Sequence, residues 1–293
     1  MLRPEMEATR KPPETPRATS VPAEEHRPAG TPPGRWWGEL EIPENHAARW
    51  RVGPLTLWVE HRLREWRLAS HRSAVEPGEA VAEVACPREL EELPEGAEVE
   101  RVAAEGIDGR LRVTPALADR SIVARPEIPF RLLAGGETAF YVSTPLWLRV
   151  ETVSPSDLLL DLPTQRPSDT WFGTSTRQGE LCYSTRTSAR LHLENVALCA
   201  HCAVTKVRLH NRATGNLLLE RFNLPVDYLS LFTSPDGLLW TQSVTVERET
   251  GGDLAGFRVD REPPPESRAA EEVAPPRRGR QSYLRRALGG LLG

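Results

Sequence analysis

The sequence predicts an all-β fold built as two packed, sandwich-like units of antiparallel strands. Three observations carry this expectation. Apolar residues recur at the two-residue period of strands over Arg49–Glu60 and Arg110–Thr114. Turn signals at Gly135-Gly136, Ala213–Asn216 and Pro235-Asp236-Gly237 each separate two strand-forming runs. Helix-like spacing in the central region is confined to the short Pro87–Leu93 and Pro115–Ala118.

Taken in order, residues 1–35 are rich in Pro, Glu, Arg, Thr and Ala. They offer too little apolar surface to offset ordering entropy, so disorder is expected up to Trp36-Trp37. In Arg49–Glu60, Leu55, Leu57 and Val59 share one face while Trp50, Val52 and Trp58 share the other, which predicts a central strand buried on both sides. Arg110–Thr114 reads as a half-buried strand. The three glycine-bearing turns predict three hairpins. An echo between the segment around Arg131–Leu148 and that around Arg208–Val226 divides the β region into units 36–153 and 154–260. A Pro/Arg-rich linker follows at 261–280. In the tail, 281–293, Tyr283, Leu284, Ala287, Leu288, Leu291 and Leu292 recur at helical spacing beside Arg280, Arg285 and Arg286. This predicts a short amphipathic helix that docks through Tyr283, Leu284, Leu288 and Leu291 on a protein partner or an anionic membrane surface. The alternative is that the stripe folds back on the protein's own β core. Gly289 and Gly290 each cost a helix about 1 kcal/mol, so the helix should form only on docking. Removing 281–293 is then expected to leave thermal stability nearly unchanged.

Composition narrows the function classes. The chain has 293 residues, a formal net charge of −4 and a pI near 6.0, so a nucleic-acid footprint is absent. Lys11 and Lys206 are the only lysines. The arginine bias runs through the whole chain, so it marks no one site. No apolar run approaches the roughly 20 residues that span a bilayer, and the N-terminus lacks a signal-like apolar stretch. A cytoplasmic protein, at most peripheral to the inner membrane, is expected. Phosphate-loop, nucleophile-elbow, dinucleotide-turn and H-E-x-x-H motifs are missing, which leans the reading away from an enzyme.

Four cysteines are too few for a disulfide scaffold. Cys199-Ala200-His201-Cys202, with Cys182, His192 and His210, invites a zinc reading. Against it stand the single cysteine pair and the placement of the other candidates on strands. Leu191 and Leu193 are expected to point inward, so His192 faces solvent, and His210 shares an exposed face with Lys206 and Arg208. No metal and no cofactor are expected, and the cysteines read as ordinary turn residues rather than as a redox dithiol at a helix start.

Pro163–Tyr183 is the candidate site: a polar, aromatic-bearing segment between two strand-like runs. Its ligand-binding candidates are Arg166, Asp169, Trp171, Phe172, Arg177 and Glu180. Trp171-Phe172 offers a stacking platform for a sugar or a base. Asp169 and Glu180 form a candidate acid/base pair, with Arg166 or Arg177 to hold a charged substrate. The plainer reading has Trp171 plugging a gap between sheets while Asp169 and Arg166 bond to loop backbone.

The strings WRVGPLTLWVE, RPEIPFRLLAGGETAFYVSTPLWLRVE, LPTQRPSDTWFGTSTRQGELCY, LLLERFNLPVDYLSLF and DGLLWT are long and distinctive. Through them the chain resembles an uncharacterised prokaryotic family, domain of unknown function 432, over about residues 50–250. The resemblance implies an all-β core in which Asp169, Trp171, Phe172, Gly173, Gly179, Glu180 and Cys182 serve the fold or a site. Cys199 and Cys202 depart from the family's pattern. Members resemble neighbours of small mechanosensitive-channel genes, which implies an accessory role. The resulting expectation is a non-enzymatic cytoplasmic binding or regulatory module, with a ligand face at 163–183 and a docking tail. The rival is an enzyme acting on a sugar or phosphorylated metabolite through Asp169 and Glu180.

Overall fold

The structure, a computed structural model, describes residues 35–74, 82–89, 92–103, 106, 108–175, 177–185, 187–248, 254–279 and 283–287. The segment expected to be disordered, 1–34, lies outside the described residues. The architecture is all-β. Strand β1 (Gly38–Glu41) precedes a local sheet of β2 (Ala47–Val52), β3 (Leu55–Arg62), β4 (Glu65–Arg72), β5 (Ala82–Arg88) and β6 (Glu98–Ala103). Next come β7 (Arg110–Ala116), β8 (Ile122–Ala124), β9 (Phe130–Leu132), β10 (Glu137–Pro145), β11 (Trp147–Thr152) and β12 (Leu158–Pro163). The middle of the chain holds β13 (Ser168–Ser175), β14 (Gln178–Ser184), β15 (Ser188–Arg190) and β16 (Cys202–Asn211). The last strands are β17 (Leu217–Leu219), β18 (Phe222–Leu224), β19 (Leu231–Thr233), β20 (Leu239–Thr241), β21 (Val244–Arg248), β22 (Leu254–Val259), β23 (Glu271–Ala274) and β24 (Tyr283–Ala287). The two stretches with helix-like spacing, Pro87–Leu93 and Pro115–Ala118, begin instead in β5 and β7.

Arg49–Glu60 is a hairpin rather than one central strand. Gly53 adopts φ +57°, and the chain reverses so that Trp50 faces Leu57 and Val52 faces Leu55. Cross-strand partners share a face, so Trp50 and Val52 lie on the same face as Leu57 and Leu55; the phase change of the alternation at Gly53-Pro54, read as two faces of one strand, marks the turn. Arg110–Thr114 lies in β7 as expected, with Leu111 and Val113 buried and Arg110 exposed.

The boundary at 153/154 does not separate two bodies. β7 pairs β11, which pairs β12; β8 pairs β14 and β18; β9 pairs β17; and β10 pairs β16. One continuous buried cluster runs from Trp36 to Ala274. The long strand β16 is the hub, antiparallel to β10 and parallel to β20 and then β21. Two of the three expected hairpins exchange arms. The turns at Gly135-Gly136 and near Ala213–Asn216 are present, but β9 pairs β17 while β10 pairs β16. Buried Asn211 holds these turns together by donating to the carbonyls of Leu133 at 3.0 Å and Gly215 at 2.8 Å. At Pro235-Asp236-Gly237, β19 and β20 do form an antiparallel hairpin around Gly237, φ +84°.

The C-terminal expectations need correction. Residues 261–279 pack onto the fold instead of forming a free linker. β23 pairs β19, and the Arg277 guanidinium makes a two-pronged contact with Asp161, Nη2 to Oδ1 at 2.8 Å. Arg278 meets the buried Asp227 carboxylate at 3.1 Å, and its backbone N–H donates to the Asp227 carbonyl. Tyr283–Ala287 is a strand, not a helix: β24 runs antiparallel to β22, Leu284 opposite Phe257. An open sheet edge supplies a row of hydrogen-bond partners that an isolated short helix cannot match. Leu288 and Leu291 of the expected docking stripe lie outside the described residues. No helix among the described residues is long and apolar enough to cross a membrane.

Candidate functional site

The segment 163–183 is a β-hairpin where a loop was expected. β13 and β14 pair antiparallel from Ser168↔Ser184 to Ser175↔Gln178, with a register shift between Gly173 and Ser175. Cross-strand partners share a face. One face therefore carries Thr170, Phe172, Glu180 and Cys182, and the other Asp169, Trp171, Leu181 and Tyr183. Packing sorts the two. Phe172 and Cys182 are buried with Val123 of β8, whereas Trp171 is 44% exposed and Leu181, its partner, 47% exposed. β14 is fixed in turn by parallel pairing with β8, Tyr183 opposite Ile122.

This register parts the expected catalytic pair. Asp169 and Glu180 lie on opposite faces of the hairpin. Glu180 accepts a hydrogen bond from the Asn223 side chain of β18 on the inner face. Asp169 meets Arg120 at 3.2 Å on the outer face. The Arg120 guanidinium also lies 5.0 Å from the centre of the Tyr183 ring, which packs 5.6 Å from Trp147. Burial, and then the hydrogen bond with Asp119, push the Tyr183 phenol above its ordinary pKa.

The remaining candidates disperse. Phe172 is not half of an exposed platform; its ring is buried, with the Arg221 guanidinium 5.7 Å from its centre. Arg177 sits exposed at the hairpin tip. Arg166, on the link from β12 to β13, pairs with Glu98 of β6 and shares a cleft of about 380 Å³ with Ser70, His71 and Arg72. There burial, with the like charge of Arg166, lowers the Arg72 pKa, and the Arg72 guanidinium donates to the Pro163 carbonyl at 2.8 Å. Tyr283 and Leu284 belong to a strand of the protein's own sheet.

One feature escaped the sequence reading, and a second was weighed there and set aside as ordinary turn cysteines. A cleft of about 570 Å³ opens where β8 and β14 run out, between Pro126–Phe130 and Ala189–His192. The parallel bridge Pro126↔Ala189 frames it. Ile128 and Leu191 stand exposed on its rim, so Leu191 does not point inward, while His192 is exposed as expected. The Pro-Glu-Ile-Pro-Phe run was the available signal. The second feature is the turn before β16. Cys199 and Cys202 are joined as a disulfide, and one ligand atom each from Cys199, His201 and Cys202 lie within 4.8 Å of one another. His201, the histidine inside the cysteine pair that the zinc reading took in, is buried.

Comparison with known proteins gives one relationship. A family model described as "Protein of unknown function (DUF432)" matches residues 36–291, taking in the segments read as linker and tail. No curated protein matches the chain. No solved structure matches it either.

Proposed function

Since the chain belongs to the DUF432 family, whose function is not described, we propose from the site geometry that it is a non-enzymatic binding or regulatory module. Its contact surface is the outer face of the β13–β14 hairpin, and its partner is a protein. The observation that carries this reading is the cross-strand pair Trp171 and Leu181, roughly half exposed on one face. A large indole beside an aliphatic side chain, rimmed by the Asp169–Arg120 ion pair, has the composition of an interface centre with a polar edge. The enzyme reading loses its dyad, because Asp169 and Glu180 do not share a face. The reading keeps the protein in the cytoplasm. It assigns the contact to the hairpin rather than to the tail, whose Tyr283 and Leu284 are committed to pairing with β22.

Affinity capture from a lysate of the source organism, with the wild type and with Leu181→Asp, tests this. Leu181 is exposed, so the variant should keep the wild-type melting temperature. The expected result is a protein retained by the wild type and reduced about tenfold or more by the variant. Identical capture by both chains would remove the hairpin face as the contact surface.

A further inference from the structure

The turn entering β16 is closed by the Cys202 N–H donating to the Cys199 carbonyl at 3.1 Å, so both cysteine side chains emerge on the same side. Between them stands His201, only 6% exposed. Three segments hold this turn in place. The Leu146 N–H donates to the His201 carbonyl at 2.9 Å, and the Trp36 indole N–H donates to the Ala200 carbonyl at 2.8 Å. Gly53 packs on the imidazole over Nδ1, the ring atom nearest to where a Cβ would stand, with Cγ at 2.5 Å and Cε1 at 2.6 Å from that point. Near-equal approach to several ring atoms means contact with the flat face of the ring, which leaves the in-plane lone pairs clear. Yet Nδ1 is buried and meets no hydrogen-bond partner among the described residues. Buried polar atoms are rarely left so, and this one calls for a partner. The Gln165 side-chain amide lies 3.1 Å from Nε2; with its oxygen turned to the ring it accepts the Nε2–H and leaves the lone pair on Nδ1. An outer-shell amide on one ring nitrogen, with the other nitrogen unsatisfied, in a turn that brings the imidazole and two sulfurs within 4.8 Å, is the arrangement that orients a metal-binding histidine.

We propose that Cys199, His201 and Cys202 form a metal site once their disulfide is reduced. Two thiolates and an imidazole hold a thiophilic divalent cation of the zinc class, with a fourth position open. On reduction the two sulfurs part from bonding distance to the roughly 3.8 Å edge of a tetrahedral zinc site, and the imidazole nitrogen needs to come only from within 4.8 Å to about 3.5 Å. Two sulfurs and one nitrogen select zinc over magnesium or calcium, which take oxygen ligands. Disulfide and metal exclude each other, because each uses the same sulfur electron pairs. Peroxide therefore expels the cation. The two thiolates lose two electrons as the S–S bond forms; the O–O bond of hydrogen peroxide breaks, and with two protons it leaves as two waters. Zinc departs with its charge unchanged.

The test uses the full chain, reduced with a phosphine or oxidised with peroxide, and titrated with cobalt(II) as the probe and then with zinc. The reduced chain should bind one equivalent of cobalt with thiolate charge-transfer and tetrahedral d–d absorption, displaced by zinc. The oxidised chain should show neither band, and peroxide added to the zinc-loaded chain should release one zinc per disulfide formed. Cys199→Ser, altering the partly exposed member of the pair, should abolish the spectrum. His201→Gln should weaken binding by more than the roughly 10–100-fold that loss of an outer-shell partner costs. A reduced wild-type chain without the cobalt bands would overturn the proposal. So would bands that survive Cys199→Ser, or zinc retained after the disulfide forms.

Discussion

Gly179 shows how tightly single residues constrain the hairpin. A Cβ there would stand 2.5 Å from the Phe172 carbonyl oxygen and 2.7 Å from the Trp171 indole nitrogen. The indole nitrogen thus lies against Gly179, where only a hydrogen fits. Gly179→Ala should destabilise the protein by about 1–3 kcal/mol, the range for overpacking a tight contact, read from the urea midpoint. A second residue-scale prediction concerns Glu266. Burial pushes its carboxyl up, but the Lys206 ammonium and the Tyr141 hydroxyl both donate to it and hold it below the ordinary value of 4.5. The unfolded chain then takes up the proton first. The stabilisation is complete above pH 4.5 and is lost as the pH falls through the lower folded value. The acid limb of urea stability should be flatter in Glu266→Gln. Burial and the bond to Glu266 push the Tyr141 phenol up to about 12, so its contribution holds below 10 and fades between there and about 12. The surface placement of Trp171 was legible in the polar character of the segment around it. The opposite facing of Asp169 and Glu180 was not, because it needs the register of two strands joined through a bulged turn.

At the scale of elements, the last described strand reverses an expectation. The apolar spacing of the tail fits a helix, yet β24 completes the edge of the sheet beside β22, which carries the buried Phe257 and Val259. A chain ending at Arg280 should therefore melt about 2–6 °C below the full chain, by differential scanning calorimetry, because β22 becomes an open edge. An unchanged melting temperature would mean that β24 adds nothing to the sheet. The same non-local logic explains the other misread elements. The period-two pattern was present in Asp169–Phe172 and Glu180–Tyr183, but polarity and two glycines gave it the look of a loop. Glycine and proline at positions 53 and 54 were a turn signal hidden by unbroken alternation on either side.

For the whole molecule, fold class was legible because turns and strand periods are local properties of the chain. The order of strands was not. β10 finds β16 and β9 finds β17 across some seventy and eighty-five residues, pairings fixed by packing that no local pattern encodes. That interleaving makes one core, from Trp36 to Ala274, and leaves the β13–β14 hairpin with one packed face and one exposed. On the proposed function, this exposed face is where a protein partner lands. Site-specific photocrosslinking in living cells tests it most directly. A photoreactive phenylalanine analogue is placed at Leu181 or, as the control, at Leu63, which is 71% exposed in the turn between β3 and β4. A discrete protein adduct is expected from position 181 and none from position 63. No adduct at 181, or the same adducts from both positions, would contradict it.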